Sequence, residues 1–183
     1  MTTTLVLGGA RSGKSRYAES LLRHRARVTY LAPGPIADGS DPEWADRVAH
    51  HQRRRPSWWF TVESPRLAPV IDSAITPVLV DCLGTWLART VDDINGWDDP
   101  RRTSEHLAER THELVTVLRS APVDVVLVSN EVGMGVVPGT PSARLFRDEL
   151  GRLNSAISAI SERVALVVAG RVLDLSDCPV VPR

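Results

Sequence analysis

Residues 8–15 read Gly8-Gly9-Ala10-Arg11-Ser12-Gly13-Lys14-Ser15. This is the pattern G-x-x-x-x-G-K-[ST] of a phosphate-binding loop. Glycines let the backbone turn tightly, so that successive N–H groups converge on one concavity. In such a loop Lys14 reaches the β- and γ-phosphates, and the Ser15 hydroxyl serves a magnesium ion. The flanks agree. Thr4-Leu5-Val6-Leu7 is a short apolar β-type run, and Ser15 to Arg25 carries Tyr17, Ala18, Leu21 and Leu22 at helical spacing. A strand, a glycine turn and a helix N-terminus in succession make an anion site, to which the helix dipole adds.

Outward from this loop the chain alternates. Apolar, β-branched-rich runs at Thr3–Leu7, Val28–Leu31, Pro77–Asp81, Val123–Ser129 and Val164–Ala169 predict five strands. Several are near-continuous apolar runs, as strands buried on both faces should be. Helical patterns separate them at Ser15–Arg25, Pro42–Arg53, Ser104–Arg119 and Ala143–Ser161. The expectation is an α/β fold over residues 1–183, a single domain with a doubly wound, mainly parallel sheet and helices on both faces. With the phosphate loop it is P-loop NTPase-like (RecA-like), with ligands at the carboxyl ends of the strands. Pro33–Pro42 and Asp92–Arg102 read as Gly/Pro/Asp-rich connections, and Cys178–Arg183 as an irregular tail.

Composition narrows the function classes. The 183 residues are 43% hydrophobic and 24% charged, with a formal net charge of +0, ordinary for a globular domain. No global field steers the chain to nucleic acid or to an anionic membrane, so a basic site must be local. No apolar stretch reaches membrane-spanning length. The chain enters a strand almost at once, without a basic region or cleavage site, which predicts no secretory signal. Cys82 and Cys178 stand far apart with no metal spacing, so the default setting is reduced and cytoplasmic.

Three further stretches carry polar groups that chemistry could use. Val78-Leu79-Val80-Asp81 is an apolar strand ending in an acid. Such an acid either helps hold Mg²⁺ beside a phosphate loop or merely stops a strand; the upstream loop favours the first. Arg47 to Pro56 includes His50, His51, Gln52, Arg53, Arg54 and Arg55. On a helix His51 follows Arg47 by one turn, and a neutral imidazole is a competent nucleophile toward activated phosphorus. Composition alone favours a solvated basic helix end. Ser129-Asn130-Glu131-Val132-Gly133 is a buried strand opening into a polar pair and a glycine-rich loop. Asn130 and Glu131 could hold a substrate hydroxyl, bind metal or accept a proton, or form an ordinary strand exit. The five tryptophans read mostly as core or core edge, and His24, His106 and His112 as exposed helical positions.

With these residues laid out, the chain resembles the bifunctional adenosylcobinamide kinase/adenosylcobinamide-phosphate guanylyltransferase family along nearly its whole length. The phosphate loop is shared by many enzymes. More specific are the Arg47…His51…Arg55-Pro56…Trp…Glu63 block, Asp81-Cys82-Leu83-x-x-Trp86-Leu87, and Ser129-Asn130-Glu131-Val132-Gly133-x-Gly135-x-Val137-Pro138. Arg144-x-Phe146-Arg147-Asp148-x-x-Gly151-x-x-Asn154 and Val167-Val168-Ala169-Gly170 also match.

The resemblance implies two reactions. A cobinamide side-chain hydroxyl is phosphorylated with ATP or GTP; GMP then passes from GTP to that phosphate through a GMP–histidine intermediate. The family pattern selects His51, with His50 the competitor. Gln52, Arg53, Arg54 and Arg55 are implied to lie along the nucleotide, and Glu63 and Asp81 to contact guanine nucleotide or metal. Ala32, Pro33 and Gly34 are implied in nucleotide binding. There the family's usual Tyr-Ile-Ala-Thr is replaced by Tyr30-Leu31-Ala32-Pro33, which removes a hydroxyl and an N–H. Mg²⁺ is already read from Ser15 and Asp81; a corrinoid substrate and a homotrimer with sites between subunits follow from the resemblance alone. The rival readings are a P-loop kinase for another small alcohol and a nucleotide-switched binding module.

Overall fold

Side-chain alternation along the strands divides the core into two apolar layers. In the computed structural model, which describes residues 1–36 and 41–181 apart from the Arg47 side chain, the strands are β1 (Thr3–Gly8), β2 (Thr29–Ala32), β3 (Phe60–Glu63), β4 (Val78–Asp81), β5 (Val125–Asn130), β6 (Arg163–Val168) and β7 (Arg171–Asp174). The helices are α1 (Lys14–Leu22), α2 (Pro42–Arg54), α3 (Leu67–Asp72), α4 (Leu83–Asp93), α5 (Pro100–Arg119) and α6 (Pro141–Ser158). One sheet holds all seven strands in the order β3-β2-β4-β5-β1-β6-β7. Every pairing is parallel except the closing β6–β7 hairpin.

Leu5, Leu31, Val78, Val80, Val125 and Leu127 face one layer, where α3, α4, α5 and α6 supply Ile71, Trp86, Leu114 and Leu150. Their sequence neighbours Val6, Tyr30, Leu79, Val126 and Val128 face the other, where α1 supplies Ala18 and Leu22. This is the two-residue period of a strand buried on both faces. The expected doubly wound parallel sheet with helices on both faces is what the chain forms. Because β5 lies between β1 and β4, the phosphate loop, Asn130 and Asp81 all emerge at one carboxyl edge.

Four elements go beyond the expected pattern. β3 and β7 are edge strands with mostly exposed side chains, so neither shows a buried apolar run. α3 is six residues long, too short for a periodic signature. α4 follows Asp81 with one residue between, and its buried Leu83, Trp86, Leu87 and Val91 make a helical stripe at i, i+3, i+4 and i+8. The expected connection Asp92–Arg102 is helical at both ends. Asp99 caps α5 by accepting from the Arg102 N–H at 3.1 Å, with Pro100 in the first turn. Thr140 and Pro141 start α6 in the same way. The connection Pro33–Pro42 and the tail Cys178–Arg183 lie partly outside the described residues; Cys178–Val181 belongs to no regular element. His106 is half-buried rather than exposed.

Candidate functional site

The phosphate loop joins β1 to α1 as its sequence requires. Gly13 has φ 100°, a left-handed conformation that suits a residue without Cβ. A Cβ on Gly8 would lie 2.6 Å from the Val167 carbonyl and 2.5 Å from the Ser12 Oγ. The loop is braced from below by the β6–β7 turn, where Gly170 N–H donates to the Ser12 carbonyl at 3.0 Å. Lys14 Nζ donates to the Gly9 carbonyl at 3.2 Å.

Asp81, at the end of β4, is the centre of the site. Its two oxygens face different partners. Oδ1 accepts from Ser15 Oγ at 3.3 Å, while Oδ2 accepts from the Tyr30 hydroxyl at 2.9 Å and lies 3.4 Å from His51 Nδ1. The Asp81 side chain is 5% exposed and that of His51 33%. Burial alone would push the Asp81 carboxyl up; His51, Tyr30 and Ser15 outweigh it and hold the group below its usual value. Burial, and then the neighbouring carboxylate, push the Tyr30 hydroxyl well above its ordinary range, so it stays a donor. The Arg55 guanidinium stacks on the Tyr30 ring at 3.5 Å and donates to Thr61 Oγ1 at 3.1 Å. Arg55 Nε is buried with no hydrogen-bond partner among the described residues.

Arg54 makes a contact that the sequence did not suggest. It forks onto Glu19 of α1, with Nε 2.8 Å from Oε2 and the terminal nitrogen 2.6 Å from Oε1. Glu19 is 1% exposed, so this is a buried, charge-matched pair tying α2 to the helix of the phosphate loop. Glu19, His51 and Asp81 place one ligand atom each within 4.8 Å of one another. Both Glu19 oxygens are already engaged by Arg54, so its counter-cation is the guanidinium.

A cavity of about 770 Å³ opens over these groups. Of the expected residues, Ala10, Arg11, Ser12, Gly13, Lys14, Ser15, Ala32, Gly34, His50, His51, Arg54, Arg55, Glu63, Asp81 and Asn130 line it. Gly8 is buried and does not line it, and neither does Gly9, whose carbonyl accepts from Lys14. Gln52 and Arg53 are exposed and stand outside it, because they occupy the outer side of α2. Pro33 is buried and does not line it either; the Gly34 carbonyl beside it accepts from Arg89 at 2.9 Å. Asn130 and Glu131 diverge. The Asn130 side chain accepts from the Cys82 thiol at 3.4 Å, and its carbonyl accepts from Asn154 at 3.0 Å. Glu131 leaves the cavity lining and accepts from Gly133 N–H at 2.6 Å.

Tyr30 and Glu19 escaped the sequence reading. Tyr30 sits inside an apolar strand, where a phenol reads as core. Glu19 did leave a signal. Ser15, Ala18, Glu19 and Leu22 share one helical stripe, and an acid in a buried stripe calls for a partner.

A solved structure of an ATPase from the type III secretion system of pathogenic bacteria has the same fold. The likeness covers 90% of this chain and 50% of that one, with a TM-score of 0.52 and 14% identity. The chain therefore spans half that protein's length, and the likeness is one of fold. Much nearer are the bifunctional adenosylcobalamin biosynthesis protein CobU of Escherichia coli and CobP of Pseudomonas aeruginosa. The first is 41% identical over 91% of this chain and 95% of its own. The second is 41% identical over 96% of this chain and 98% of its own. Residues 4–175 match the family described as cobinamide kinase / cobinamide phosphate guanyltransferase, and the chain belongs to that family.

Proposed function

We propose that this chain catalyses both family reactions at one site. It phosphorylates a hydroxyl of adenosylcobinamide with ATP or GTP, then moves GMP from GTP to adenosylcobinamide phosphate, giving adenosylcobinamide-GDP and pyrophosphate. The observation that carries this reading is His51. A kinase needs a phosphate loop, an acid and an acceptor held in line. Here α2 adds an imidazole 3.4 Å from the acid that meets Ser15, facing the same cavity. A nucleophile at that place divides a difficult transfer into two easier ones.

The Ser15 hydroxyl and the Asp81 carboxylate are hard oxygen donors 3.3 Å apart, suited to Mg²⁺. They would hold it, and the ion would neutralise charge on the phosphates. Lys14 and the loop N–H groups bind the phosphate oxygens, and the Arg55 guanidinium in the cavity lining supports the anionic end. Asn130 and Glu63 both line the cavity, which supports roles in holding the acceptor and the guanine nucleotide. The exposed Met134, Val136 and Val137 of the loop after β5 supply apolar surface for the homotrimer that the resemblance implies. Among the described residues no helix is long and apolar enough to cross a membrane.

The test is covalent. Enzyme incubated with GTP labelled at the α-phosphate should gain one GMP and release pyrophosphate. The adduct should survive base and be lost in mild acid, as a phosphorus–nitrogen bond is. His51→Ala should abolish it and spare cobinamide phosphorylation, while His50→Ala should retain it. An adduct kept by His51→Ala and lost by His50→Ala would move the role to His50. Failure of both changes to affect it would end the histidine mechanism.

A further inference from the structure

Asp81 divides its two oxygens between two neighbours. Oδ1 meets Ser15, on the side of the phosphate loop; Oδ2 meets Tyr30 and His51. Tyr30 is 1% exposed and is fixed from both sides, by the apolar layer beneath α1 and by the Arg55 guanidinium 3.5 Å above its ring. A buried phenol has one rotatable proton, and here it goes to Asp81. The carboxylate is thereby aimed at the δ nitrogen of His51. At 3.4 Å the two atoms are in ion-pair range but beyond hydrogen-bond distance, so the contact has to close by a few tenths of an ångström when nucleotide binds, as catalytic contacts often do.

We infer that Tyr30 and Asp81 are positioning residues that hold neutral His51 with its proton on Nδ1, so that GMP is carried on Nε2. The inference rests on the transferase reading above. The bookkeeping closes without an external base. The Nε2 lone pair attacks the α-phosphorus, the N–P bond forms, and the bond from that phosphorus to the bridging oxygen breaks. Pyrophosphate leaves with those electrons. The ring keeps its Nδ1 proton and becomes an N-phosphorylated imidazolium, whose positive charge faces Asp81. When a phosphate oxygen of the acceptor attacks, the N–P bond breaks and its electrons return to Nε2. The neutral Nδ1–H ring is restored. Had the proton lain on Nε2, that nitrogen would have no lone pair in the ring plane for the attack.

The experiment is nitrogen-resolved NMR of the full-length protein carrying ¹⁵N-histidine, before and after GTP. The expected result is a protonated Nδ1 on His51 in the free protein and phosphorus coupling at Nε2 in the adduct. Tyr30→Phe should slow adduct formation about tenfold or more and mix the two tautomers. Asp81→Asn should do both more strongly, as loss of an orienting carboxylate does elsewhere. The wild-type measurement needs neither variant to fold. GMP on Nδ1, or a free protein protonated at Nε2, would overturn the inference while leaving the transferase reading intact. No adduct on either nitrogen would remove that reading and the inference with it. A Tyr30→Phe variant with wild-type tautomer and rate would strip Tyr30 of its role.

Discussion

Lys14 shows how one residue serves a site that runs two reactions. Its Nζ rests 3.2 Å from the Gly9 carbonyl, so the charge stays over the loop that has to receive phosphate. In the proposed scheme both reactions begin with a nucleoside triphosphate on that loop. Lys14→Ala should therefore weaken ATP and GTP alike, by about 1.5–3 kcal/mol for a lost charge-assisted contact. Titration calorimetry reads this directly, and an unchanged GTP affinity would sink the assignment. Lys14 and Ser15 were legible because their motif is local in sequence. His51 was legible only as one of two readings, since a basic helix end has the same composition. Tyr30 was not legible at all. Its hydroxyl matters because β4, more than forty residues downstream, brings Asp81 beneath it.

At the scale of elements, α2 is the unusual one. None of its described side chains is buried, and it caps itself with Asp41, which accepts from the Trp44 N–H at 3.0 Å. Trp44 Nε1 donates to the Pro35 carbonyl at 2.9 Å, and Arg54 clamps Glu19. Polar contacts, rather than apolar burial, hold this helix to the protein. Removing one partner of a buried ion pair leaves an uncompensated charge and costs about 3–5 kcal/mol. Here part of that cost can be avoided, because a loosened α2 would let water reach Glu19. Arg54→Ala should thus raise the amide exchange of α2 by orders of magnitude, with little change in β1 or β5. Exchange measured by mass spectrometry checks it; equal acceleration across the sheet would mean that Arg54 supports the fold rather than the helix. The apolar stripes of α1, α5 and α6 were legible, but the starts of α5 and α6 were not. The signals at Asp99-Pro100 and Thr140-Pro141 lie outside the stripe, in residues that read as loop.

The whole molecule couples nucleotide binding to stability, since the loop is strung between β1, α1 and the β6–β7 turn. A ligand at a hundredfold its Kd adds about 2.7 kcal/mol to the native state. For a chain of this size that raises Tm by roughly 5–10 °C. The α,β-methylene analogue of GTP with Mg²⁺, which cannot release pyrophosphate, should give such a rise in differential scanning calorimetry, and omitting Mg²⁺ should shrink it. No rise at saturating analogue would mean that the loop is not the nucleotide site. The fold was legible as a whole because its central strands are buried on both faces and read as unbroken apolar runs. The edges were less so, since β3 and β7 contribute backbone pairing more than buried side chains. The register of β1 has one more consequence. Thr3 pairs with Val125 and Thr4 with Arg163, so the first of these strands finds neighbours only among the last. On the ribosome, the glycine loop is made first and waits. Its supporting strands follow more than a hundred residues later, and until then a nascent chain carries the motif without the scaffold that shapes it.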